Sequence, residues 1–282
     1  MSDFSSWGVT PDLKLKPEIT APGGNIYSAV PKNNYESMSG TSMASPHLAG
    51  AGAIMRQYIR TQLNLDLNEK GKSQLVNALM LSTASPVKDK NKNTISPRKQ
   101  GAGMVQLQNA TNTGAYLTDK NGNRPLISLG ANSQGSFEFS FLLNRLKKDA
   151  TAEYEVTVTP QTEAVKRENG RNYIAQETYP LSEDKISVKA PKKITLGTSP
   201  SNIDISLSLT DSGKEFLSEN FPNGIFIEGF VTLTPVTGSE KTALSLPFMG
   251  FYGDWSMSPI FDSTVYDNED AGVVEKIGRA HV

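Results

Sequence analysis

The 282-residue chain contains no cysteine, so disulfides, thiolate zinc sites and a cysteine nucleophile are all excluded. It has two histidines, His47 and His281, which leaves few side chains for proton transfer near neutral pH. Net charge is nearly absent: 28 Lys and Arg oppose 29 Asp and Glu, for a formal charge of -1. A balance of this kind carries no broad basic footprint, so no nucleic-acid partner is expected. No apolar run approaches the roughly 18 residues of a membrane span, and no membrane span is expected in this chain. The start, Met1-Ser2-Asp3-Phe4, lacks the basic and apolar regions of a signal peptide. What is present is an ordinary globular composition, 37% hydrophobic and 20% charged, in a chain long enough for two domains at roughly 150 residues each.

The texture changes once, near residue 115. Before it, helices are predicted over about Ser42 to Thr61 and about Ser73 to Ala84, where Leu75, Ala78, Leu79 and Ser82 share a face. The first contains Ala49-Gly50-Ala51-Gly52-Ala53, small residues that suit close packing in a buried position better than they suit helix stability. Pro46 reads as a residue of the first helical turn, where a missing N–H costs no hydrogen bond. Residues Lys88 to Lys99 read as a solvated loop. Beyond residue 115, alternation at Phe137, Phe139 and Phe141, at Tyr154, Val156 and Val158, and at Ile203, Ile205, Leu207 and Leu209 predicts half-buried strands. Further strands are expected at Ile225 to Leu233 and Leu244 to Phe248, with short ones near Ile186 and Ile194. About seven strands in this span suggest an antiparallel sandwich.

The chemistry concentrates in Gly40-Thr41-Ser42-Met43-Ala44-Ser45-Pro46-His47, placed where the first helix begins. A serine at a helix N-terminus sits beside unpaired N–H groups and the positive end of the helix dipole, which can stabilise an oxyanion. The same position also suits Ser42 or Thr41 as a plain helix cap, and spacing alone leaves both readings open. Other signals are weak. Asn109-Ala110-Thr111 is a chance-level sequon, and Asp66, Glu69 and Asp89 lack calcium-loop spacing. Gly23-Gly24 reads either as a tight turn or as backbone beside a cleft.

Gly40 to His47 resembles the active-serine motif of subtilisin-like serine proteases, G-T-S-M-A-x-P-H, at all seven defined positions. Phe4-Ser5-Ser6-Trp7-Gly8 and Lys16-Pro17-Glu18-Ile19-Thr20-Ala21-Pro22-Gly23 resemble two further family motifs, with Glu18 where aspartate is commoner, and Gly101-Ala102-Gly103-Met104-Val105 resembles a third. Residues 246 to 255 are similar to the end of the fibronectin-like sandwich that follows the protease domain in the cell-envelope subtilases of Gram-positive cocci. The implied fold is α/β, the C-terminal part of a subtilase parallel-sheet domain over residues 1–114, followed by an all-β fibronectin type III-like antiparallel sandwich over 115–255. Residues 256–276 would then link to a further domain. The last six residues, 277–282, read in reverse translation as a sequencing-adapter frame, which would leave His281 without function.

The resemblance implies a serine-type endopeptidase acting on protein or peptide substrates, secreted and attached to the cell wall in the complete parent. Ser42 would be the catalytic nucleophile. The family order is Asp, then His, then Ser. No histidine precedes Ser42, and His47 belongs to the serine motif, not to the base motif. The chain is therefore expected to be a fragment that is inactive alone and whose protease segment folds poorly by itself. No cofactor or metal is expected in it, with calcium in the complete parent left open. The competing expectation is a non-catalytic surface-binding module with a relic serine motif, and a split protease completed by another chain is a third.

Overall fold

The computed structural model describes residues 1–63, 65–168 and 171–257. His281 and the segments 258–276 and 277–282, with the linker and adapter readings placed on them, lie outside the described residues. No described helix is long and apolar enough to cross a membrane.

The first unit opens with an extended stretch and a hairpin, β1 (Ile26–Val30) and β2 (Asn34–Met38), paired antiparallel from Ile26↔Met38 to Val30↔Asn34. Next comes α1 (Thr41–Tyr58), continued by a π-helical turn over Ile59–Leu63. Then follow α2 (Glu69–Ser82), the one-turn α3 (Pro97–Gln100) and α4 (Leu107–Asn112). Asn68 caps α2 by accepting the Gly71 N–H at 2.8 Å, and Glu69 complements the positive helix end. Leu75, Val76, Leu79 and Met80 of α2 pack with Ala51, Met55 and Ile59 around a small core that also takes Ala110 of α4.

The second unit is a sandwich of two sheets. Its strands are β3 (Ala115–Asp119), β4 (Ile127–Asn132), β5 (Ser136–Arg145), β6 (Ala152–Glu168), β7 (Arg171–Pro180), β8 (Ile186–Lys189), β9 (Lys193–Thr195) and β10 (Ser201–Leu209). A helix, α5 (Asp211–Asn220), precedes β11 (Ile225–Gly238) and β12 (Leu244–Tyr252). One sheet runs β3-β5-β10-β8; the other runs β4-β12-β11-β6-β7, with β9 added on β6. Phe137, Phe139 and Phe141 face Leu207, Ile205 and Ile203 across the β5–β10 ladder. The two inner faces close over Leu117, Phe141, Tyr154, Ile203, Val231 and Leu246.

Several expectations change here. Among the described residues the sandwich has ten strands, not about seven, and α5 interrupts its all-β character. It is not wholly antiparallel: β4 joins β12 in parallel, which the long connection through the intervening strands permits. In residues 1–114 the described sheet is the antiparallel hairpin, and parallel pairing is reduced to a single bridge, Thr20↔Met104. The small-residue face of α1 is not closely packed. Ala51 is buried, but Ala49, Gly50 and Ala53 are exposed, and a Cβ on Gly50 or Gly52 would meet nothing within 4 Å. Residues 88–99 do not form a solvated loop throughout, because Ser96, Pro97 and Arg98 are buried against the sandwich.

The two units share a buried boundary. Residues 225–233 of β11 and nearly all of β12 are buried on both faces, which explains their nearly unbroken apolar runs. Ile225, Ile227, Leu244 and Leu246 point into the sandwich. Phe226, Met249 and Phe251 point the other way and pack on Leu13 and Leu15. Ser245 donates to the Ala84 carbonyl at 3.1 Å, and the Leu117 N–H donates to Ser82 Oγ at 2.8 Å. The segment expected to fold poorly alone is thus held against the sandwich along much of its length.

Candidate active site around Ser42

The position of Ser42 is set by a close crossing of two backbones. Gly40 N–H donates to the Gly23 carbonyl at 2.8 Å. A Cβ on Gly23 would stand 2.7 Å from the Gly40 oxygen and 3.1 Å from Ala44 Cβ, so only glycine allows the approach. Gly23 therefore lies beside the start of α1, while Gly24 has open space around it. Between Gly23 and Gly40 the chain leaves as the β1–β2 hairpin, and the Asn25 N–H donates to Ser39 Oγ at 2.8 Å where the hairpin closes.

Gly40 is the N-cap of α1, and its carbonyl accepts the N–H groups of Met43 and Ala44 at 3.0 and 3.3 Å. No side chain caps this helix, so neither Thr41 nor Ser42 serves as its cap. Ser42 is exposed, and its hydroxyl has no hydrogen-bond partner among the described residues. The first turn carries no acidic residue, which leaves the positive helix end uncompensated. Pro46 differs from expectation. With the helix beginning at Thr41 it stands sixth, and it withholds the N–H that the Ser42 carbonyl would otherwise accept.

His47 sits one turn along the same helix. Its Nδ1 donates to the Met43 carbonyl at 3.0 Å, a bond back to the fourth residue before it. Ser42 and His47 both line a groove of about 590 Å³ between α1 and the hairpin, together with Glu36, and no hydrogen bond joins the three. The rest of that groove is largely apolar, with Ile26, Val30, Met38, Met43 and Ile54 among its walls. On the hairpin Tyr27 and Tyr35 stack with ring centroids 5.6 Å apart, both well exposed. Among the described residues no cluster of three or more His, Asp or Glu is placed to hold a metal ion.

The other family-like motifs have structural work. Gly101 and Gly103 adopt positive φ angles of 62° and 114°, and a Cβ on either would strike the backbone of Glu18 or Ser85 within 2.5 Å. That crossing carries the bonds Ala102 N–H to Glu18 O and Thr20 N–H to Gly103 O, both 2.9 Å. Glu18 pairs with Lys16 and with Arg124 from the sandwich side. Burial alone would raise the Glu18 pKa, but these two cations lower it below the usual carboxylate value. No motif or periodicity marks Arg98, whose charge is fully buried. Burial opposes its charge, and Glu228 and Glu163 outweigh that, so its pKa is raised.

Residues 1–103 match the model of the subtilase family, Peptidase S8, and residues 127–249 match that of the Fn3-like domain. The chain is a subtilase domain segment joined to an Fn3-like domain. It is similar to the C5a peptidase of Streptococcus pyogenes, with 31% identity over 273 residues, covering 96% of this chain and 22% of that protein. It is also similar to the PII-type proteinases of Lactococcus lactis subsp. cremoris and Lacticaseibacillus paracasei, each 34% identical over 278 residues, covering 93% of this chain and 14% of theirs. The chain thus spans about a fifth or less of the length of these relatives.

Proposed function

We propose that this chain supplies the nucleophile of a serine-type endopeptidase, with Ser42 forming the acyl-enzyme during peptide-bond hydrolysis. The observation that carries the reading is an exposed, uncapped Ser42 at the N-terminus of α1, inside the stretch that matches the subtilase family. Attack by Ser42 Oγ on a peptide carbonyl would develop an oxyanion beside the positive end of α1, where the Ser42 N–H is one donor.

A hydroxyl needs a base within hydrogen-bond reach, and His47 is turned back onto the Met43 carbonyl. The base and its aspartate partner therefore come from residues beyond these 282. In subtilisin, loss of the histidine costs about a millionfold in turnover, so this chain alone is inactive in our reading. The Fn3-like domain supports the protease segment by packing against it. By the same resemblance the complete protein acts outside the cell, attached to the wall, on protein or peptide substrates.

The test is covalent labelling. A fluorophosphonate is expected to leave Ser42 unmodified in the 282-residue chain. The same codons, expressed in frame with the source DNA that precedes them, should give a protein labelled at Ser42, and Ser42→Ala should abolish the label. Labelling at another serine in the longer protein would overturn the assignment of the nucleophile. Rapid stoichiometric labelling of the short chain would overturn its inactivity.

A further inference from the structure

The charge cluster at the boundary of the two units has a geometry that reaches the serine. Arg98 on α3 donates from Nε to Glu228 Oε2 at 2.8 Å and pairs through Nη2 with Glu163 at 3.0 Å. Both carboxylates belong to the sandwich, Glu228 to β11 and Glu163 to the adjacent β6. The guanidinium also lies 4.2 Å from the centroid of Phe226 and 5.8 Å from that of Trp7, with Lys99 Nζ 4.8 Å from Trp7. Glu228 is 1% exposed, so the pair is shielded from water and its removal is not compensated by solvent.

From Arg98 a continuous run of backbone bonds leads to α1. The carbonyl of Arg98 accepts the Gly8 N–H at 2.9 Å, and α3 runs directly into the Gly101–Gly103 crossing. There Ala102 N–H bonds to Glu18 O, Thr20 N–H to Gly103 O and Val105 N–H to Thr20 O, each at 2.9 Å. Three residues past Thr20, Gly23 accepts Gly40 N–H, and Gly40 in turn holds the first turn of α1. The other half of α1 is fixed independently: Ala51, Met55 and Ile59 pack on α2, and the end of α2 is tied to the sandwich through Ser82.

We propose that Arg98 is a positioning residue: clamped by Glu228 and Glu163 of the sandwich, it fixes the start of α1, and with it Ser42, through the 101–105 and 18–23 backbone. The sandwich is then an alignment template for the nucleophile and more than a neighbour of the protease segment. The importance of that alignment rests on the reading of Ser42 given above. Its test needs no catalytic activity, so the two can fail separately.

The measurement is amide hydrogen exchange on the 282-residue chain, read by peptide. Arg98→Met is expected to speed exchange in peptides covering 16–24 and 40–46 by about tenfold or more, because their bonds would open locally. Exchange in 51–58, held by α2, and in β10, inside the sandwich, should stay unchanged. Arg98→Met combined with Glu228→Met should return the 40–46 peptide toward its original rate, since Glu228, the more deeply buried of the two carboxylates, is then no longer left without its cation. An unchanged rate at 40–46 would overturn the proposal, and so would an equal increase across all of 1–114, which marks a merely structural contact. If Arg98→Met also loses protection in β10, Glu163→Gln is read against the same two criteria.

Discussion

Tyr154 is fully enclosed in the sandwich, and its hydroxyl has no hydrogen-bond partner among the described residues. Burial, helped by the negative Glu240 nearby, raises its pKa above the ordinary value. A group whose folded pKa is raised contributes stability that is complete below its unfolded value, about 10, and is lost as pH rises beyond it. Tyr154→Phe should therefore hold or improve stability at pH 7, by up to about 1 kcal/mol, and should flatten the decline above pH 10. Urea midpoints at pH 7 and pH 11 check both arms. At Gly114 a Cβ would fall 2.4 Å from Glu240 Oε1 and 2.6 Å from Ala150 Cβ, while the Gly114 N–H donates to Glu240 Oε2 at 2.7 Å. Gly114→Ala is expected to cost about 1–3 kcal/mol by overpacking, seen as a lower urea midpoint with an unchanged slope. Neither residue stands out in the sequence. Ser42 did, because a seven-position motif surrounds it, whereas Arg98 ends a stretch rich in lysine and asparagine and its partner Glu228 lies 130 residues away.

At the scale of elements, α1 is a helix weakened by its own glycines. Gly50 and Gly52 have open space where a side chain would go, and Ile54 is 49% exposed. In this chain Gly50→Ala should add about 0.5–1 kcal/mol, because alanine restricts the unfolded chain and clashes with nothing. Thermal or urea unfolding decides it, and a loss of stability would show that this face is already packed. The elements that were legible had one face inward: α2 by its 3.6 period, and β5, β6 and β10 by alternation. Those that were missed lacked such a pattern. The β2 strand is exposed at every position, and α5 has Phe216 and Leu217 as its large apolar residues. Its signal was the cap, Thr210 accepting the Gly213 N–H at 3.0 Å ahead of Asp211. The nearly unbroken apolar runs at 225–233 and 244–251 likewise pointed to burial on two faces, which a free-standing sandwich does not provide.

At the scale of the whole molecule, the order of units was legible from one change of texture near residue 115, but their union was not. Pairwise contacts between distant residues leave no periodic trace. Trp255 Nε1 donates to the Pro11 carbonyl across 244 positions, Ser245 to Ala84 across 161, and Arg98 to Glu228 across 130. Every one of these bonds joins an early residue to a late one. On a ribosome adding about 5–20 residues per second, Arg98 emerges roughly 7 to 26 seconds before Glu228, the later of the two carboxylates it pairs with. On the proposal above, the serine-bearing helix spends that interval without its complete clamp. Ser42 then comes into register only once β11, the strand that carries Glu228, has been made, so its alignment waits on a strand synthesised well after it.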